Sequence, residues 1–129
     1  MDSAIKSHKE LTVWRHAMQL AKDVYRLTDQ FPRREEYRMT SQLIRAAISI
    51  PANIAEGNSR GTRRDYAHFV SIARGSAAEL ETLLQLASEI ELAPALRFKA
   101  RLTERQKLVA CSMGYGRACR RPLNLVPSP

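Results

Sequence analysis

The stretch from Gln42 to Glu56, QLIRAAISIPANIAE, restricts the fold of this chain more than any other. At 100° per residue, Gln42, Arg45, Ser49, Asn53 and Glu56 fall on one polar stripe roughly 80° wide. Leu43, Ile44, Ala46, Ala47, Ile48, Ile50, Ala52, Ile54 and Ala55 cover the rest, about two-thirds of the helix surface. A helix on the outside of a monomer needs an apolar face only slightly wider than about 100°. This helix is therefore expected to be buried on more than one side. Pro51 removes a backbone donor and crowds the carbonyl of Ala47, which predicts a kink.

The other apolar seams run at helical spacing. Val13, Ala17, Leu20, Val24, Leu27 and Phe31 alternate spacings of four and three, and Trp14, Ala21 and Tyr25 widen that seam. Pro32 ends the first helix by pushing Phe31 away from helical angles. Thr62, with Asp65 three residues later, reads as the capping box of a third helix. Its seam is Tyr66, Val70, Ala73, Ala77, Leu80, Leu84 and Ala87, and it extends to Ile90, a helix about 40 Å long. Gly75 and Ser76 narrow it, so a close approach by another helix is expected there. Pro94 suits the first turn of a fourth, weaker helix in which Phe98, Leu102, Val109 and Met113 share a face and Arg105 interrupts it. No segment alternates at period two. The fold class is all-α, an antiparallel up-down-up-down four-helix bundle. It spans residues 11–113, between a flexible N-terminus, 1–10, and a basic, proline-rich tail, 114–129, expected to be disordered.

The net charge of +8 is unevenly spread. Residues 1–96 carry thirteen Lys/Arg against twelve Asp/Glu, whereas 97–129 carry eight against Glu104 alone. Such asymmetry suits a polyanion, and equally a solubilising surface. With no apolar run of about 18 residues and no secretory leader pattern, no membrane is implied and the cytoplasm is the expected compartment. Cys111 and Cys119 match no metal or redox spacing, in keeping with reducing surroundings.

The pieces LTVWRHAMQLAKDVYRLTDQFP, TSQLIRAAISIPANIAEG and DYAHFVSIARGSAAELETLLQLA, in this order and spacing, resemble a known family. It comprises the four-helix bundle proteins encoded in intervening sequences of large-subunit (23S) ribosomal RNA genes. The resemblance covers roughly Leu11 to Ile90. It implies a bundle that assembles as a ring-shaped homopentamer, without an established enzymatic activity. It extends to the accessory variability proteins of retroelements, basic pentamers thought to bind nucleic acid and a reverse transcriptase. The short, very basic end after Ile90 departs from the family pattern.

No catalytic constellation stands out. His8, His16 and His68 form no zinc spacing, and no metal site or cofactor is expected. Gly57-Asn58-Ser59-Arg60-Gly61 lacks the ending of a phosphate-binding loop and reads as a turn. The polar stripe Gln42, Arg45, Ser49, Asn53 and Glu56 is either a ligand site or a hydrogen-bonded stripe that sets bundle register, and we favour the second. The candidate nucleic-acid contacts are Arg60, Arg63 and Arg64, at the start of the third helix, with Arg97, Lys99, Arg101, Arg105 and Lys107. Arg33, Arg34 and Arg38 occupy the loop at the opposite end. With Tyr37 the only aromatic residue assigned to these loops, binding is expected to be to phosphates and weakly sequence-selective. The sequence thus favours a non-enzymatic, self-associating bundle that serves as a scaffold or an RNA- or DNA-binding accessory. The alternative is a protein-interaction module whose basic surface meets an acidic partner.

Overall fold

In the computed structural model of the protein, residues 7–93 and 96–114 are described, the side chains of 96–103 excepted. Four helices make up the architecture: α1 (Thr12–Thr28), α2 (Ser41–Ser59), α3 (Arg63–Glu89) and α4 (Leu96–Ser112). Among the described residues there is no strand. Helix α2 packs on α3 and α1, and α4 packs mainly on α1. Ser49 meets Ser76 while Gly57 meets Phe69, so residue numbers rise on one helix as they fall on the other, and the pair is antiparallel. The expected all-α bundle is what the chain forms. No helix among the described residues is long and apolar enough to cross a membrane.

The core follows the predicted seams. Val13, Ala17, Leu20, Ala21, Val24 and Leu27 from α1 meet Leu43, Ala46, Ala47, Ile50 and Ile54 from α2 and Ala73 and Leu80 from α3. Val109 and Met113 close it from the α4 side. Full burial of side chains such as Leu20, Leu43, Ile50, Ile54 and Leu80 contributes about 1.5–3 kcal/mol each relative to exposure.

The helix ends show why the elements begin and stop where they do. Helix α1 ends at Thr28, one turn before Pro32, and the chain tightens through bonds from Gln30 N–H to the Leu27 carbonyl and Phe31 N–H to the Thr28 carbonyl. The restraint Pro32 places on Phe31 is thus absorbed in a short turn. Thr62 caps α3 as read from the sequence: its Oγ1 accepts from the Asp65 N–H at 3.1 Å and donates to Asp65 Oδ2 at 2.9 Å. At the far end, Glu91 takes a φ of 55°, and Leu92 N–H reaches back to the Ala87 carbonyl, the bond of a Schellman motif.

Helix α2 runs on through the buried Pro51, and non-helical backbone angles lie upstream, at Arg38 (φ −113°, ψ −110°). There the loop after Pro32 winds through two short helical turns, Arg33–Glu35 and Glu36–Thr40. One expectation is corrected in part: of the predicted waist Ser76 meets Ser49 of α2, but the tightest approach lies elsewhere. A Cβ added at Gly75 would meet nothing within 4 Å, whereas one at Gly57 would sit 2.8 Å from the Phe69 Cβ and 3.3 Å from the Tyr66 Cα. Gly57, inside α2 and buried, is the residue that lets α3 come close.

Candidate nucleic-acid interface

The α2–α3 turn is built by its own sequence. Helix α2 continues to Ser59, Gly61 turns the chain with a φ of 79°, and the Thr62 cap starts α3 at once. Arg60, Arg63 and Arg64 are all exposed on this turn. Arg60 is the most constrained of the three. Its Nη2 lies 2.9 Å from Glu56 Oε1, and its guanidinium sits 5.2 Å over the centre of the Phe69 ring. Arg63 and Arg64 form no ion pair among the described residues. They sit in the first turn of α3, where the backbone N–H groups and helix dipole also favour an anion.

The rest of the predicted basic set does not gather around this turn. Arg97, Lys99 and Arg101 lie outside the residues whose side chains are described; their stretch of sequence opens α4, at the end of the bundle opposite Arg60. Arg105 faces inward to α1, with its Nε 2.5 Å from Asp23 Oδ2. Those two atoms form no hydrogen bond, so the attraction is that of an ion pair in skewed geometry. That pair explains why a cation can interrupt the α4 seam, and it ties Arg105 up internally. Lys107 is exposed on α4. In the α1–α2 connection, Arg34 and Arg38 lie 4.0 and 3.6 Å from the buried Glu35 carboxylate, which offsets their charge. Arg33 beside them is exposed and forms no ion pair among the described residues, so that end keeps one such cation where the α2–α3 turn has the adjacent pair Arg63 and Arg64.

The polar stripe of α2 divides in two. Ser49 and Asn53 are half-buried against α3: Ser49 Oγ lies 2.7 Å from Ser76 Oγ, and Asn53 Nδ2 donates to the Ser49 carbonyl at 2.7 Å and to Ser49 Oγ at 2.9 Å. Gln42, Arg45 and Glu56 face solvent. Beside them, Ile48 is 43% exposed, Ala52 is exposed, and Ile44 and Ala55 are half-buried. One face of α2 is thus an apolar strip that the described residues of its own chain do not cover.

Elsewhere the polar chemistry is structural. His8 meets Trp14 edge-on with centroids 5.0 Å apart, and the half-buried His16 keeps Nδ1 away from solvent. Among the described residues no group of His, Cys, Asp and Glu could hold a metal ion. Cys111 is disulfide-bonded, so it offers no thiolate nucleophile.

The family profile of the 23S rRNA-intervening sequence protein matches residues 9–111, which takes in all four helices almost to the end of α4. The chain belongs to this family. A solved relative by fold is a protein of unknown function from the S23 ribosomal protein family of Bacteroides thetaiotaomicron. It is 24% identical, covers 80% of this chain and 99% of its own, and superposes with a TM-score of 0.65, a likeness that speaks for the fold alone. No curated protein matches the chain. The family match stops at residue 111, so of the eight cations in 97–129 only Arg117, Arg120 and Arg121 lie outside it.

What the sequence reading missed is the aromatic part of this turn. Phe69 lies under Arg60, and the exposed His68 meets the Phe69 ring edge-on, with centroids 5.3 Å apart and planes at 77°. Tyr66 packs beside Phe69 against Gly57, and burial raises its phenol above the ordinary value of 10.0. The signal was present in RRDYAHF. At 1.5 Å per residue, His68 stands only about 6 Å along the axis from Arg64, on the same helix face.

Proposed function

We propose that the protein is a non-enzymatic accessory or scaffold that assembles as a cyclic homo-oligomer and contacts RNA or DNA phosphates at its α2–α3 turns. One observation carries this reading: a single hairpin holds both the uncovered apolar strip (Ile44, Ile48, Ala52) and the uncompensated cations Arg63 and Arg64. Apolar surface of this kind gains by being taken out of water against another copy. Five subunits is the number that the resemblance to ring-forming members of the family implies. In a closed ring each basic turn repeats around one rim, which raises the local potential and draws in a polyanion.

Phosphate contacts release counterions, so log affinity should fall linearly with log salt, by about 0.7 per phosphate for single strands. Replacing Arg60, Arg63 and Arg64 together with Gln should weaken binding to all sequences alike and flatten that slope, measured by fluorescence anisotropy over a salt series. Absence of binding at low salt by a folded protein would instead leave a protein-interaction module that meets an acidic partner.

A further inference from the structure

We infer that the α2–α3 turn selects single-stranded nucleic acid, stacking an unpaired base on the Arg60–Phe69 and His68 platform while Arg63 and Arg64 hold the adjoining phosphates. This rests on the nucleic-acid reading above and adds which form of nucleic acid is bound.

The geometry separates two roles among the three arginines. The charge of Arg60 is already met by Glu56 at 2.9 Å, so Arg60 has less to offer a phosphate than its neighbours. Its guanidinium is instead held from two sides, by the Glu56 carboxylate and by the Phe69 ring whose centre lies 5.2 Å away, while about half of the side chain stays exposed. A guanidinium fixed over a ring has its exposed side free for a base. Phe69 is itself fixed, because its Cβ packs on the backbone of Gly57 with no room for another atom. The edge-on contact with Phe69 sets the angle of the His68 ring, which is exposed. A platform held in place before binding loses little side-chain freedom when a base arrives.

The neighbouring cations complete the match. Arg63 and Arg64 meet no carboxylate among the described residues, and Arg64 lies one helical turn before His68. A groove or turn that combines free cations with ring faces binds strands whose bases are unstacked, since every base has a π-face. A duplex would offer this turn its phosphates alone, and an acidic peptide only carboxylates.

The test compares four fluorescent probes at low salt: a short single-stranded RNA, its blunt duplex, an abasic strand of equal length, and poly-glutamate. The native protein should bind the base-bearing strand about 5- to 150-fold more tightly than the abasic one, the effect of stacking one base. His68→Ala and Arg60→Lys should each lower that preference, His68→Phe should keep it, and Arg60→Lys should leave the salt slope unchanged. All these side chains are exposed, and thermal melts establish that each variant is folded. Equal affinity for the abasic strand, the duplex or poly-glutamate overturns the inference, as does an unchanged preference in both His68→Ala and Arg60→Lys. In those cases phosphate binding itself survives, whereas failure to bind any of the four probes overturns the nucleic-acid reading as well.

Discussion

The α2–α3 hairpin and the α1–α4 pair are both antiparallel helix pairs, yet they are joined by different means. Between α2 and α3 the backbones approach at Gly57, and the polar groups at the interface are matched: Ser49 with Ser76 across it, and Asn53 with Ser49 within α2. On the α1–α4 side the link is the Asp23–Arg105 ion pair, while His16 Nδ1 and Gln106 Nε2 are buried without a hydrogen-bond partner among the described residues. The difference teaches where function can sit. The hairpin sets Arg60 over the Phe69 ring, and its outer face still has apolar surface to spare.

The largest break in this comparison comes from the hairpin's own core. Ile50→Ala should cost about 2–5 kcal/mol, read as a lowered midpoint in denaturant unfolding. Gly57→Ala comes next, at about 1–3 kcal/mol, because the added methyl meets Phe69 Cβ and the Tyr66 backbone. Gly75→Ala should do the reverse and stabilise by up to about 1 kcal/mol, since the space there is open. If both glycine variants melt alike, the closeness of the hairpin has been misread. A double-mutant cycle with Asp23→Asn and Arg105→Gln should give a coupling of about 1 kcal/mol that weakens with salt, as befits a partly exposed pair. The smallest effect concerns Tyr66, whose folded phenol ionises above its unfolded value because burial disfavours the charge. Its contribution to stability is complete below pH 10 and is lost as pH rises through the folded value. Tyr66→Phe should remove that alkaline decline in pH-dependent melts.

Much of the fold was legible because helical period and capping are local. The Thr62–Asp65 cap and the seams of α1 and α3 depend on neighbours three and four residues away, and these the sequence displays. The breadth of apolar surface on α2 likewise foretold the uncovered strip at Ile48 and Ala52. Contacts between helices were harder to read. Gly75 looks like a waist on paper, but only the packing of two backbones shows that Gly57 is the tight point. Arg105 looks like a free surface cation until α1 brings Asp23 to it. Arg38 departs from helical angles beside the buried Glu35, a tertiary effect with no local signature, whereas Pro51 is accommodated within α2. His68 and Phe69 were overlooked for a simpler reason: they follow the basic turn on a helix and were counted with the helix.

The central claim is that the outer face of the hairpin is a surface for assembly. Native mass spectrometry at micromolar concentration, on the parent and on Ile48→Asp, tests it most directly. Because Ile48 is 43% exposed, the substitution should leave the melting of the isolated bundle nearly unchanged. The account predicts a closed oligomer of five for the parent and monomers for the variant. A parent that remains a stable monomer, or an Ile48→Asp variant that assembles as the parent does, would contradict it.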